Sequence, residues 1–209
     1  MEKTFMEAMD FRHACKIFDD TKKVSDEDIS YILEAGRKSP SSFGMEPWKF
    51  LVITNDDLKE KLKPFCWNQP QITTCSHLVI ILAVIDAVKP ESGEVERKFK
   101  RREMPQDKLD FYMGLYASHL SNTLSSDEKI YSWTAKQTYI AMGNMMTAAA
   151  IKGIDSCPIE GFEKDNVEKV LNLDLSKYQV SCILPFGYRL NEQSLQLRET
   201  QKDVVEFIK

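Results

Sequence analysis

The sequence predicts a single α+β domain built as a sandwich, and three features of the chain predict it. Leu78–Ile85 is a continuous apolar run rich in branched residues, as expected of a central strand covered on both faces. A long helical pattern runs from about Asp127 to Lys152. Strands and helices do not alternate as regular βαβ units, which favours an α+β sandwich with helices on both sides of the central strand.

The composition agrees with one globular domain over residues 1–209. Hydrophobic residues make up 43% of the chain and charged residues 29%, and no repeat or linker-like stretch divides it. A net charge of -4 argues against nonspecific binding of nucleic acid. The longest apolar run is too short to span a bilayer, and the N-terminus lacks the apolar segment of a secretory signal. We therefore expect a cytoplasmic protein without membrane or nucleic-acid partners.

The first elements follow from capping and strand signals. Ser25 is a helix N-cap followed by acidic residues and by apolar residues at helical spacing, and Pro40 closes this helix. The β-rich segment Lys49–Thr54 predicts a strand. Asp56 then caps a short charged helix.

The long helix is stopped by Gly153, and its two sides are both largely apolar. One side carries Trp133, Ile140, Ala141, Met145, Ala148 and Ile151. Small residues such as Gly143 and Ala149 predict close contact, either in the core or against another subunit, and both alternatives stay open.

The remaining segments are less regular. Gln179–Phe186 predicts a strand ended by Pro185-Phe186-Gly187, and Val204–Ile208 predicts a terminal strand or a short helix. The densely charged stretch Glu94–Glu103 is interpreted as a solvated helix face or a loop, in preference to a docking patch for a nicotinamide phosphate.

The five cysteines form no C-x-x-C pair and do not cluster with the three histidines. We expect reduced, buried thiols and no metal site.

The sequence has no G-x-G-x-x-G, Walker A or G-x-S-x-G motif. It instead contains separated short motifs that together resemble the FMN-dependent nitroreductase family over nearly the whole chain. These motifs are Arg12-His13-Ala14-Cys15-Lys16, Ser39-Pro40-Ser41-Ser42-Phe43-Gly44-Met45-Glu46-Pro47-Trp48, Trp67-Asn68-Gln69-Pro70-Gln71, Cys157-Pro158-Ile159-Glu160-Gly161-Phe162 and Leu195-Gln196-Leu197-Arg198.

The resemblance implies a three-layer α-β-α sandwich with a mainly antiparallel central sheet, in an intertwined homodimer with FMN at the subunit interface. It also implies that NADH or NADPH is the reductant and that a small molecule is the oxidant. The two react with the enzyme in turn, by a ping-pong mechanism. Nitroaromatics, quinones or similar electron-poor planar molecules are the expected oxidants, with a pterin or a free flavin as alternatives.

The resemblance assigns FMN contacts to the first three motifs. Arg12 reaches the phosphate or ribityl chain, where a guanidinium pairs with phosphate oxygens, and His13 and Ala14 belong to the same segment. Lys16 lies near flavin N1 and O2 and stabilises the negative charge of the reduced flavin, which makes it a catalytic candidate. The turn residues Ser41, Ser42 and Asn68 contact the isoalloxazine ring or the ribityl chain, and the two serines come from the partner subunit.

The last two motifs supply the remaining contacts. Pro158 and Ile159 lie against one face of the ring, and the backbone N–H groups of Glu160 and Gly161 point toward N5 and O4. Glu160 is the second catalytic candidate, and Arg198 binds the phosphate. The chain departs from the family pattern at four positions, with Gly44, Glu46, Gln71 and Gln196 in place of Asn, Gln, a basic residue and Lys.

Two other classes of function remain as alternatives. One is a flavin-binding redox sensor with Cys15 or Cys157 as a regulatory thiol. The other is a non-flavin scaffold that dimerises through the long helix. The sequence carries no ribose-phosphate selector, so NADH and NADPH also remain alternatives.

Overall fold

In the computed structural model, which describes residues 2–209, four strands form one antiparallel sheet in the order β1-β2-β4-β3. The strands are β1 (Trp48–Ile53), β2 (His77–Val84), β3 (Asp155–Ser156) and β4 (Tyr178–Gly187). The α-helices are α1 (Phe5–Phe11), α2 (Asp26–Arg37), α3 (Asp56–Leu62), α4 (Gln71–Thr74), α5 (Glu94–Lys100), α6 (Gln106–Thr123), α7 (Asp127–Ile151), α8 (Lys164–Val170) and α9 (Gln201–Val204).

Strand β2 lies between β1 and β4, and all eight of its residues are buried. Its side chains alternate between two hydrophobic clusters, one with Leu78, Ile80 and Leu82 and the other with Val79 and Ile81. Residues of α2 and α7 cover the second cluster, while residues of α3, α4 and α8 cover the first. The predicted sandwich with helices on both faces of the sheet is therefore confirmed.

Helix α7 begins and ends within a residue of its predicted bounds. Ser126 caps it by accepting a hydrogen bond from the Lys129 N–H, and Gly153 follows it with a φ of +75°. Ala141, Met145 and Ala149 are buried in the core. Ile140 was predicted to share their side but is 41% exposed, because its position turns it away from the sheet. One face of α7 is therefore core, and the other is open in the single chain.

Three predictions of local structure were wrong. The cap of α3 is Asn55 rather than Asp56, since Asn55 has an extended backbone and its side chain accepts from Leu58 N at 2.8 Å. Strand β4 continues through Pro185 to Gly187, because β3 pairs with its last residues. The C-terminal helix ends at Val204, and Val205–Ile208 is neither helix nor strand because it pairs with no strand among residues 2–209.

The charged stretch after β2 is a helix with one buried face, which agrees with the predicted solvated helix face. Val95 and Phe99 of α5 pack in a third hydrophobic cluster with Tyr116 of α6 and with Met45. The charged side chains of α5 point outward, except that Lys98 reaches the Met45 carbonyl.

No helix among residues 2–209 is long and apolar enough to cross a membrane. The same residues contain no group of three or more His, Cys, Asp or Glu side chains placed to hold a metal ion.

Candidate active site

The first motif lies alongside the fourth. Helix α1 ends at Phe11, and Arg12 turns the chain into an extended backbone with φ −70° and ψ 125°. Ala14 then forms a parallel bridge with Ser156, and Cys15 N donates to Ser156 O at 3.1 Å. Residues 12–16 and 155–161, which are far apart in sequence, are therefore neighbours at the edge of the sheet.

Two cations of the first motif lack an acidic partner. Lys16 is exposed, and its ammonium lies 3.7 Å from the Cys157 Sγ. Neither Lys16 nor Arg12 forms an ion pair with any residue between 2 and 209. Unpaired cations on one short segment favour an anionic ligand.

A buried ion pair fixes the backbone behind these cations. Asp155 is 4% exposed, and its carboxylate receives the guanidinium of Arg189 at 2.6 Å and the Arg189 backbone N–H at 2.9 Å. The His13 Nδ1 lies 3.7 Å from the same carboxylate and has no hydrogen-bond partner among residues 2–209. Burial and the nearby Arg189 lower the pKa of His13, so its neutral form is favoured.

The fourth motif offers two free backbone donors. Ile159 is tied to β4 through N–H···O bonds in both directions with Ile183, at 2.9 and 3.1 Å. The next two N–H groups, those of Glu160 and Gly161, have no hydrogen-bond partner among residues 2–209. The Glu160 carboxylate is held by the Tyr139 hydroxyl of α7, which donates to it at 2.6 Å.

The third motif packs against the fourth. The Gln69 amide donates to the Gly161 carbonyl at 2.8 Å, and the Gln71 amide lies 3.7 Å from the Cys157 Sγ. Asn68 is exposed with a φ of +53°, and its side chain makes no hydrogen bond within residues 2–209.

The C-terminal motif reaches the first motif through Gln196, whose amide donates to the carbonyls of Asp10, at 2.9 Å, and of Arg12. Arg198 lies two residues further on. It is exposed, and among residues 2–209 its guanidinium bonds only to the adjacent Leu197 carbonyl.

Ser41 and Ser42 form hydrogen bonds with residues outside this cluster. Ser41 Oγ accepts from Glu46 N at 2.7 Å, and Ser42 N donates to the Gln137 side chain of α7 at 2.8 Å. No hydrogen bond within residues 2–209 joins either serine to residues 12–16 or 155–161.

The loop of residues 41–46, which we call the serine loop, has an unusual backbone that α5 and its C-terminal turn hold in place. Phe43, Gly44 and Glu46 all have positive φ values. Arg101 pairs with the Glu46 carboxylate at 3.1 Å, and Arg102 donates to the Phe43 carbonyl at 2.6 Å. The basic residues after Glu94 thus support the serine loop, a role that the sequence interpretation did not identify.

The structure therefore brings two groups of predicted site residues together, namely Arg12, His13, Ala14 and Lys16 with Pro158, Ile159, Glu160 and Gly161. The backbone of Asn68 lies nearby, and the Arg198 segment is attached through Gln196. No hydrogen bond within residues 2–209 joins Ser41 or Ser42 to this group. Sequence reasoning missed Asp155, Arg189, Tyr139 and Trp67, because nothing in their local sequence indicates which distant residue they contact.

The cluster is an open surface in the single chain. The cavity beside residues 13–17 and 191–194 has a volume of about 100 Å³. Pockets that enclose a ligand of cofactor size usually exceed about 300 Å³. One chain therefore provides a partial site.

The sequence and the fold of this chain are both similar to those of known proteins. The model of the "Nitroreductase family" matches residues 9–188. YfkO of Bacillus subtilis, a proposed NAD(P)H nitroreductase, is 42% identical over 218 residues that cover 100% of this chain and 99% of that protein. A solved structure of a proposed NAD(P)H:FMN oxidoreductase from Staphylococcus epidermidis has a TM-score of 0.84 and 25% identity, and covers 100% of this chain and 98% of its own.

A further solved structure, that of a proposed nitroreductase from Exiguobacterium sibiricum in complex with FMN, has a TM-score of 0.83 at 24% identity. It covers 98% of this chain and 97% of its own. This likeness concerns the fold.

Proposed function

Because the chain belongs to the nitroreductase family, we propose that it is an FMN-dependent NAD(P)H oxidoreductase that reduces nitroaromatics, quinones or similar electron-poor acceptors. The observation that carries the proposal is the cluster of unpaired cations and free backbone donors. Arg12 and Lys16 have no acidic partner, and the N–H groups of Glu160 and Gly161 have no acceptor, among residues 2–209. An anionic cofactor with hydrogen-bond acceptors on its ring satisfies both sets of groups.

The residues present fit FMN. We assign its phosphate to Arg12 and Arg198, whose guanidinium groups suit phosphate oxygens, and its ring to the segment Pro158–Gly161 and to Asn68. When bound, FMN supplies hydride acceptance from NAD(P)H and electron transfer to the acceptor.

The chain's own groups bind, orient and stabilise charge. Lys16 would present its ammonium to the edge of the bound ring that becomes more negative on reduction, and preorganised charge of this kind lowers the barrier without any proton transfer. Glu160, whose carboxylate accepts a hydrogen bond from the Tyr139 hydroxyl at 2.6 Å, would orient the nicotinamide donor or the acceptor. Donor and acceptor then use the same face in turn, which is a ping-pong order.

We propose that two chains complete the site. The single chain offers only an open surface, and no hydrogen bond within residues 2–209 joins its Ser41 or Ser42 to residues 12–16 or 155–161. In a homodimer the serine loop of one subunit would meet residues 12–16 and 158–161 of the other, as the family resemblance implies.

A regulatory thiol has less support than the enzyme. Cys15 is 2% exposed and Cys157 is 0% exposed. Burial raises the pKa of Cys15 to about 11 and also raises the pKa of Cys157, although Lys16 opposes the second shift. Thiols that remain protonated and inaccessible are poor redox sensors.

The test is the visible spectrum of the FMN-reconstituted protein before and after anaerobic addition of NADH or NADPH. We expect a bound flavin band that bleaches with at least one donor and returns when a quinone is added. Lys16→Met should slow bleaching roughly tenfold or more. Lys169→Met, which removes an exposed lysine of α8, is the matched control and should bleach at the wild-type rate.

Two results would refute the proposal. One is a protein that binds no FMN, and the other is a bound flavin that neither donor bleaches. Equal rates for the Lys16 and Lys169 variants would remove only the assigned role of Lys16.

A further inference from the structure

Trp67 has an exposed side chain on a strained backbone. It follows the 3-10 turn Lys63–Cys66, and it and Asn68 have φ values of +54° and +53°. Asn adopts this left-handed conformation readily, whereas a bulky residue such as Trp does so at a cost. The turn is held by hydrogen bonds from both backbone N–H groups to the Lys63 carbonyl. The fold therefore maintains a backbone that directs a large aromatic ring outward, leaving 68% of the residue exposed.

The indole of Trp67 is seated on the backbone of Gly161. A Cβ atom added to Gly161 would lie 2.6 and 2.7 Å from two carbons of the six-membered ring of the indole, so only glycine leaves room for it. The Gln69 amide fastens the same turn to the Gly161 carbonyl at 2.8 Å. The contact with Trp67 thus explains why residue 161 is glycine.

We propose that Trp67 is a specificity-determining residue whose indole forms a wall of the acceptor site and stacks with planar, electron-poor aromatic acceptors. This inference rests on the proposed function, because it is the bound flavin beside residues 158–161 that makes this surface the place where an acceptor arrives. An electron-rich indole stacks with an electron-poor ring in an offset or edge-on arrangement. The ring is rigid, so stacking costs little conformational entropy.

The first experiment compares acceptors in the reoxidation of the FMN-loaded, prereduced protein. For Trp67→Leu we expect kcat/KM for a nitroaromatic or a quinone to fall about fivefold, and Trp67→Phe should lie between Leu and wild type. Ferricyanide is compact and not planar, and its rate should change less than twofold. Phe111→Leu removes a ring of similar exposure, 66%, from α6 and should leave both rates unchanged.

A binding measurement separates stacking from electron transfer. Calorimetric titration of the oxidised holoenzyme uses benzoate and its saturated analogue cyclohexanecarboxylate, which differ in planarity. Trp67→Leu should weaken benzoate binding about fivefold and leave cyclohexanecarboxylate binding unchanged. Gly161→Ala, which displaces the indole, should weaken benzoate binding in the wild type and have little added effect on benzoate in Trp67→Leu.

Three outcomes would overturn the inference. Equal losses for planar and nonplanar ligands would show no stacking role. If the Gly161 and Trp67 substitutions weaken benzoate binding additively, the two residues act independently on this ligand. A Trp67→Leu variant with an altered oligomeric state would assign the ring to a subunit contact. The first two outcomes leave FMN binding and bleaching by NAD(P)H intact, and in the third the wild-type protein still binds FMN and is bleached, so failure here is distinct from failure of the proposed function.

Discussion

Three side chains that depart from the family pattern bond to other parts of the chain. Glu46 pairs with Arg101 at 3.1 Å, Gln71 donates to Gln69 at 2.9 Å and approaches Cys157, and Gln196 bonds to the carbonyls at the end of α1. Each therefore fixes a segment of the proposed site. The positive charge that we propose to face the cofactor is then supplied by Arg12, Lys16 and Arg198.

Two of the three histidines make stability depend on pH. Burial lowers the pKa of His13 and of His77 below the ordinary 6.5, with Arg189 and Lys59 as the nearest cations acting in the same direction. In the unfolded chain these histidines take up protons near pH 6.5, whereas the folded chain resists protonation. The free energy of unfolding should therefore fall as the pH drops from about 6.5 toward the lowered pKa values.

Urea unfolding at pH 8, 7, 6 and 5 checks this expectation. Stability should be nearly constant above pH 7, fall between pH 6.5 and 5 in the wild type, and fall less steeply in His13→Gln and in His77→Gln. Parallel curves for the wild type and both variants would contradict the assignment. A further fall below pH 4.5 belongs to exposed carboxylates such as Glu34, whose pKa is lowered by Arg37.

At the level of elements, helices α2 and α7 meet at Gly36. A Cβ atom at this position would lie 2.6 Å from the Met145 Sδ and 3.2 Å from the Phe50 ring. We expect Gly36→Ala to lower the free energy of unfolding by about 1 kcal/mol, because overpacking outweighs the gain in helix propensity.

A double-mutant cycle with Met145→Ala tests the contact. Met145→Ala alone should cost about 3 kcal/mol because it leaves a cavity. In that background Gly36→Ala should cost nothing or be stabilising, since its Cβ fills part of the space. Additive costs in chemical denaturation would show that Gly36 is required for another reason.

The ion pair between Asp155 and Arg189 joins β3 to the segment after β4, and His13 adds the N-terminal segment. Asp155→Asn leaves the guanidinium of Arg189, which is only 22% exposed, without its anion. We expect a loss of about 3 kcal/mol in the free energy of unfolding.

The matched control is Glu34→Gln, which breaks an exposed carboxylate–arginine pair and should leave the free energy of unfolding nearly unchanged. FMN affinity should fall in Asp155→Asn, because Arg12 and Lys16 lie on the segment that this ion pair holds. If FMN affinity is unchanged at a temperature where Asp155→Asn is folded, the ion pair does not support the cofactor site.

Local signals in the sequence predicted several of the elements but not their contacts. The apolar run at residues 78–85 predicts β2, and Ser126 with Gly153 predicts the ends of α7, because each signal lies within a few residues. Strand β3 has two residues and no detectable pattern, and it exists only because β4 pairs with it. The left-handed Trp67, the Asp155 ion pair and the contacts of α5 with the serine loop all depend on distant residues. Motif resemblance, rather than periodicity, was what located the candidate site.

At the level of the whole molecule, apolar side chains are left uncovered in two places. One is the outer face of α7, where Tyr139 and Ile140 are 37% and 41% exposed. The other is the C-terminal segment, in which large apolar side chains are exposed at Leu195, Leu197, Val204, Val205, Phe207 and Ile208. Apolar surface of this extent on a small protein indicates an interface. Together with the partial site of the single chain, it supports the proposed homodimer.

Substitutions in the C-terminal segment test the dimer. Phe207 and Ile208 are 81% and 91% exposed in the single chain, so replacing both with Ser should leave the monomer fold intact. If a partner subunit covers them, the double variant loses roughly 3 kcal/mol of association free energy, which weakens the dimer more than a hundredfold. Light scattering after gel filtration at micromolar concentration should show the wild type as a dimer and this variant shifted toward monomer.

The matched control replaces two polar residues of the same segment, Lys202 and Glu206, with Ser and should remain a dimer. FMN affinity should fall with dimerisation in the Phe207→Ser, Ile208→Ser variant, because the serine loop then no longer reaches the second site. A wild-type protein that is monomeric while fully loaded with FMN would contradict a site shared between subunits. If the Phe207→Ser, Ile208→Ser variant remains a dimer, the interface is on α7 alone and the C-terminal segment lies outside it.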